Sequence, residues 1–221
     1  MFKKSATELY YDNLASKYDE LTSVVGAWNA PSEVHNTLKY VSNVSSALII
    51  GIGTGKEIAS LINLDVSHIE GVDLSSKMLD ICTHNYPKVI LHHADFMGKV
   101  NLQAKKFDLI ICSGTSEFIP DIRGLFLKCS NLLNIGGSFL FTFEPLIDYH
   151  SIQGKSQSSS KSSALGNIPP PDFITYRRKL FEILETASNN SFAPTFHKEY
   201  VSYRKGLAEI IYHLILFKLS P

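Results

Sequence analysis

The chain has no surplus of charge of either sign, since 21 Lys and Arg stand against 21 Asp and Glu. That balance removes the electrostatic footprint that a phosphate backbone requires, so no nucleic-acid partner is expected. Long apolar runs are also missing. The best stretch, Tyr212 to Leu219, carries His213 and Lys218 and is too short to span a bilayer, so no membrane partner is expected. The opening MFKKSATELYYDN has basic residues but no apolar centre behind them, which argues against a secretory signal. Cysteine is scarce: Cys82, Cys112 and Cys129 are widely spaced and form no CxxC pair. They read as reduced thiols of a cytoplasmic protein, neither a disulfide framework nor a zinc site. Against these absences, 44% of the 221 residues are hydrophobic, enough to pack one sizeable α/β domain.

The most informative stretch is 47–73, ALIIGIGTGKEIASLINLDVSHIEGVD. Ala47 to Ile50 is a short apolar run of the kind buried on both faces of a sheet. Gly51, Gly53 and Gly55 follow, then a helical pattern through Ile58, Leu61 and Ile62, then a second strand from Ser67 to Val72 ending on Asp73. Glycines at a strand-to-helix turn let backbone approach a ligand closely. An acid about 20 residues further on is placed to accept hydrogen bonds from a ribose. The unit reads as a site for a nucleotide-type cofactor.

Around it the chain alternates strands and helices. A first helix is expected from residue 7 to about 22, capped by Thr7, with Tyr11, Leu14, Ala15, Tyr18 and Leu21 on one face. A second is expected from Ser32 to about Val41 after Pro31. Ser75 should cap a helix to His84 that buries Met78, Leu79 and Cys82. Further strands are expected at Lys88–His92, Phe107–Cys112 and Ser138–Phe143, with a helix from Asp121 to Leu133 and a turn at Gly136 and Gly137. Residues 151 to 163, SIQGKSQSSSKSS, cannot build a core and read as a surface insertion or a lid, with prolines 169 to 171 stiffening the exit. Asp172 should cap a helix from Ile174 to Ala187 with Tyr176 inward. The turn Arg204, Lys205, Gly206 then joins two strands, Phe192–Val201 and Ala208–Leu219, as a hairpin. Tandem His92 and His93 have no further ligand at metal spacing except Asp95, so no metal site is expected.

In order, the segments ALIIGIGTG, EGVDLSSKMLDIC, HHADF, FDLIICSGTSEFIPD and LLNIGGSFLFTFEP resemble those of class I S-adenosylmethionine-dependent methyltransferases. YYDNLASKYDE and the tail VSYRKG…EIIYHLILFKL resemble the entry helix and closing hairpin of the small-molecule branch related to quinone-biosynthesis enzymes. The resemblance implies a Rossmann-like three-layer α/β sandwich with a seven-stranded, mostly parallel sheet of order 3-2-1-4-5-7-6, strand 7 antiparallel. It implies one methyltransferase domain over 1–221, with cap helices in 1–45, a cofactor-binding core in 46–143, a flexible insertion or lid in 145–172 and a closing helix and hairpin in 173–221. It implies S-adenosylmethionine as cofactor and S-adenosylhomocysteine as product. Gly51, Gly53 and Gly55 would floor the methionine and ribose portions, and Asp73 would take the ribose hydroxyls. Leu74 and Met78 would pack on the adenine, with Asp95 and the Phe96 N–H reaching its edge. Ser113 and Gly114 would present carbonyls to the methionine ammonium, and Tyr11 and Tyr18 would cover the cofactor. The partner would be a small-molecule methyl acceptor, and the protein a monomer or homodimer.

One position departs from the pattern. Ile49 stands where the family usually carries an acid, two residues before the first glycine, and Lys56 brings a cation to the helix start. The implied reaction is methyl transfer to an O, N or C nucleophile. His150, Glu117, Tyr10 and Tyr176 are candidate bases among which the sequence does not choose. A degenerate protein that binds the cofactor as a sensor or partner subunit is the alternative reading. An NAD(P)-dependent oxidoreductase fits less well, because Lys56 stands where the third glycine of G-x-G-x-x-G belongs.

Overall fold

Short apolar strands alternating with helices build a seven-stranded sheet in the computed structural model, which describes residues 4–25, 28–159 and 173–221. β1 (Ser46–Ile50) lies at its centre, parallel to β2 (His68–Asp73) on one side and β4 (Phe107–Cys112) on the other. β3 (Ile90–His93) extends the sheet beyond β2, and β5 (Leu133–Phe143) extends it beyond β4, both parallel. β9 (Ala208–Leu219) then runs antiparallel between β5 and the edge strand β8 (Phe192–Lys205). The order β3-β2-β1-β4-β5-β9-β8 is the expected topology, with β9 in the place of the reversed strand.

Both faces are covered, which is why the strands are near-continuous apolar runs. On one face Ala47 and Ile49 pack with Val34 and Leu38 of α2 (Ala30–Leu38), Ile58 and Leu61 of α3 (Ile58–Ile62) and Cys82 of α4 (Ser76–Asn85). On the other, Leu48 and Ile50 pack with Phe126 of α5 (Ile122–Leu132) and Ile183 of α6 (Leu180–Ser188). Phe126 is ringed edge-on by Phe141, Phe139, Phe217 and Phe192 at 5.2 to 5.8 Å. Truncating it would cost about 3–5 kcal/mol. The cysteines are free and buried, and burial pushes the Cys82 thiol up to about 12.

The first helix, α1 (Ala6–Glu20), is capped by Ser5 in place of Thr7 and continues into a π-helical turn at Leu21–Val25. It is fastened to the start of α4: Asp12 accepts hydrogen bonds from Ser75 Oγ at 2.7 Å and Lys77 N at 3.2 Å.

Four expectations of local structure are corrected. β5 begins at Leu133, so Gly136 and Gly137 lie inside a strand instead of turning the chain into it. The register to β4 jumps from Phe107↔Leu133 to Leu109↔Ser138, and Gly136 at φ 75° sits in that irregularity. The helix expected from Ile174 starts only at Leu180, where Glu182 caps the Lys179 N–H. Ile174–Tyr176 instead form β7, paired antiparallel with β6 (Gln157–Ser159) inside the Ser-rich segment. Buried Arg177 and Arg178 decide this, because their side chains bind Glu144 and the Ser116 and Ile119 carbonyls. The last hairpin is longer than expected, β8 reaching Lys205 before a turn at Gly206 with φ 60°. The Asp172 cap, prolines 169 to 171 and the remainder of the Ser-rich segment from 160 lie outside the described residues.

Candidate functional site

The carboxyl ends of β1, β2 and β4 open into a cavity of about 510 Å³, roofed by Tyr11 and Tyr18 of α1 and by Trp28. A volume of that size suits a nucleotide-sized ligand. Of the residues expected to hold a cofactor, Tyr11, Tyr18, Gly51, Gly53, Asp73, Leu74, Met78, Asp95, Phe96, Ser113 and Gly114 all line it. Gly55 does not. It packs behind the loop, where a Cβ would come within 2.6 Å of Ile58 Cδ1 and 2.9 Å of Cys82 Sγ.

The glycine loop has two glycines with different duties. Gly51 (φ 71°) is closed in, since a Cβ there would meet Thr115 Oγ1 at 1.9 Å. Gly53 (φ 53°) is open, with nothing within 4 Å of an added Cβ. The first glycine lets β4 approach β1, and the second bares backbone to the cavity. Asp73 ties the loop down: its Oδ2 accepts from Gly53 N–H and its Oδ1 from Ser75 N–H, both at 2.8 Å. Burial raises the Asp73 carboxyl above its ordinary value, while the two N–H groups oppose the shift. Each carboxylate oxygen keeps a lone pair for a further donor. Burial likewise raises the phenols of Tyr11 and Tyr18, which stay neutral donors.

Asp95 is exposed at the rim and accepts from Met97 N–H at 2.9 Å. Gly114 (φ 61°) donates its N–H to Thr142 Oγ1 at 3.0 Å, and a Cβ there would strike the Trp28 ring at 2.7 Å. Ser113 Oγ is buried with no hydrogen-bond partner among the described residues. Lys56, at first sight ill placed beside a helix start, bonds Thr22 Oγ1 at 2.5 Å, pairs with Asp19 at 3.4 Å and lies 5.3 Å from the Tyr18 ring centre. It staples the π-helical turn to the glycine loop.

Residues 48–141 match the family model described as a methyltransferase domain. A solved S-adenosylmethionine-dependent methyltransferase from Clostridium acetobutylicum superposes with a TM-score of 0.69 at 18% identity, covering 96% of this chain and 99% of that one. The chain has the S-adenosylmethionine-dependent methyltransferase fold. The 1,6-didemethyltoxoflavin-N1-methyltransferase of Burkholderia thailandensis, solved with S-adenosylhomocysteine, shares this fold at 14% identity and a TM-score of 0.66, covering 98% and 89% of the two chains. In sequence, a ubiquinone biosynthesis O-methyltransferase of Aromatoleum aromaticum is 30% identical over 80 residues. That alignment spans 34% of this chain and 34% of the relative's length.

Within this methyltransferase fold none of the four candidate bases lines the cavity beside the glycine loop. Tyr10 is buried beside Leu14 and Phe173, and Tyr176 lies in β7. His150 contacts the Glu209 carbonyl at 3.2 Å, beside a shallow second depression formed with the final hairpin. Glu117 is buried beneath the wall, and burial with Glu144 nearby pushes its carboxyl up to about 7. His92 binds Glu70 at 2.6 Å, and His93 meets the Leu74 carbonyl at 2.8 Å. Glu70 also takes His68 and the N–H groups of Gln103 and Ala104, so this histidine pair belongs to a structural network. Sequence reasoning missed Trp28, Thr54, Glu57, Thr115 and Phe118, all on the cavity wall. Thr54 and Glu57 had a local signal, lying within the glycine motif and two residues beyond it.

Proposed function

We propose that the chain binds S-adenosylmethionine in this cavity and transfers its methyl group to an O, N or C nucleophile of a small molecule. The observation that carries the reading is the joint geometry of Gly53 and Asp73. An unshielded glycine backbone and a half-buried carboxylate with spare lone pairs, held together by a 2.8 Å hydrogen bond, face one cavity. Asp73 would accept from the ribose hydroxyls, Leu74 and Met78 would sandwich the adenine, and Asp95 would take its amino group. Tyr11, Tyr18, Trp28 and Phe118 supply aromatic surface to the wall, which would cover the reacting centre once a cofactor is bound. The sulfonium brings the activation, so the residues chiefly bind, orient and desolvate the two reactants. The resemblance to quinone O-methylation is local, and the acceptor atom is accordingly proposed no more narrowly than O, N or C.

Calorimetric titration with S-adenosylhomocysteine and, separately, NADH tests the reading. The first should bind and the second should not. Gly53→Val, which fills the open face, and Asp73→Ala, which removes the carboxylate, should each abolish or strongly weaken that binding. If both variants bind as tightly as the unmodified chain, or if NADH is preferred, the assignment fails.

A further inference from the structure

The resemblance places an acid at position 49, and Ile49 there is 1% exposed, packed among Leu109, Ile111 and Leu140. It offers the cavity no charge. Another carboxyl does: Glu57 lines the cavity and is 9% exposed. It occupies the N-cap position of α3 without capping it. Among the described residues no other residue donates a hydrogen bond to its carboxyl.

That isolation contrasts with the other buried or half-buried acids. Asp73 has two backbone donors, Glu70 has four donors and Glu144 has Arg177. Glu117 is also unpartnered, but it does not line the cavity. A buried carboxyl lining a cavity and short of donors is complementary to a cationic ligand group with N–H to give. Lys56, its chain neighbour, is already engaged by Asp19 and Thr22.

On the reading that the cavity holds S-adenosylmethionine, we infer that Glu57 receives the ammonium of the cofactor's methionine end, replacing the acid absent at Ile49. Its place in the chain supports this, four residues after the open Gly53 and on the loop expected beneath the methionine portion. Its charge also acts on the Tyr18 phenol, whose ring borders that same loop through Lys56. Burial holds the Glu57 carboxyl at about 7, and a bound ammonium would draw it into the ionised form.

Two probes separate this role from general support of the site. S-adenosylhomocysteine carries the ammonium, and 5′-methylthioadenosine has the same nucleoside and thioether without the amino-acid end. Titrated into Glu57→Gln, the first should bind about 10- to 100-fold more weakly than to the unmodified chain, and the second should bind unchanged. Glu57→Asp, which keeps the charge, should lose less. Equal weakening of both probes in Glu57→Gln would make Glu57 a support of the loop and overturn the inference, as would no weakening of either. An unmodified chain that binds neither probe would instead sink the cofactor reading beneath it.

Discussion

Glu117 offers a test of the interior that needs no ligand. Both of its carboxylate oxygens are buried without a hydrogen-bond partner among the described residues. Burial and the neighbouring Glu144 raise its carboxyl from 4.5 to about 7, with the Arg178 charge opposing the shift without cancelling it. Below pH 4.5 the group is protonated in both folded and unfolded chains and costs nothing as a charge. As pH rises through 7 the folded chain must carry an anion that the unfolded chain holds in water. The stability present at low pH is therefore lost across that window, by about 3 kcal/mol for this one group. Glu117→Gln has nearly the same shape and cannot ionise. At pH 5 the two chains should be within about 1 kcal/mol of each other, and at pH 8 the Gln chain should be more stable by about 3 kcal/mol. With a urea dependence of about 3 kcal/mol per M, the midpoint gap should open by about 1 M. Far-UV circular dichroism in urea at both pH values measures it, and other titrating groups cancel in the difference. A gap that stays constant from pH 5 to pH 8 would show that Glu117 is not a strained buried acid.

Gly51 and Gly53, the two loop glycines that line the cavity, should separate stability from binding. Gly51→Ala drives a Cβ into Thr115 at positive φ and should cost about 3 kcal/mol, read as a lower thermal midpoint. Gly53→Ala meets no atom and should cost about 1–2 kcal/mol for its backbone alone, yet still weaken S-adenosylhomocysteine in calorimetry. Asp108, which accepts from the N–H and hydroxyl groups of Ser45 and Ser46 and from Asn134, is held well below the usual carboxylate range by those donors, chiefly Ser45 and Asn134. Its contribution should be complete above pH 3.8 and fade as pH falls below that. Asp108→Ala should therefore destabilise by about 2 kcal/mol at pH 7, and by less in melts at pH 3.

Much of this molecule is legible residue by residue because its signals are local. Ala47–Ile50 reads as a doubly covered strand, and the spacing of Gly51, Gly53 and Asp73 reads as a nucleotide turn, each within a span of some 25 residues. The failures come where distant partners decide. Tyr176, Leu180 and Ile183 have helical spacing, but Arg177 and Arg178 find Glu144 and the carbonyls of the 116–119 turn, which pull 174–178 into extended chain. Gln157–Ser159 has no apolar content to announce a strand, and becomes one only because Ile174–Tyr176 lies beside it. Glu57 looks like an ordinary solvated acid, yet it is buried on a cavity that Tyr18 and Trp28 also line. No spacing rule within its own helix announces that burial.

The position of β9 bears on how the molecule is made. It is the last strand of the sheet to leave the ribosome, yet it pairs on one side with β5 and on the other with β8. Until Ala208–Leu219 has emerged, β5 keeps an open edge carrying Phe139, Phe141 and Phe143, and β8 has no neighbour at all in the sheet. A nascent chain thus waits through the synthesis of about 75 residues with this apolar strand edge unpaired, the state in which edge-to-edge association competes with folding. Yield in a host cell should therefore depend more on holding that interval safely than on the stability of the finished sheet.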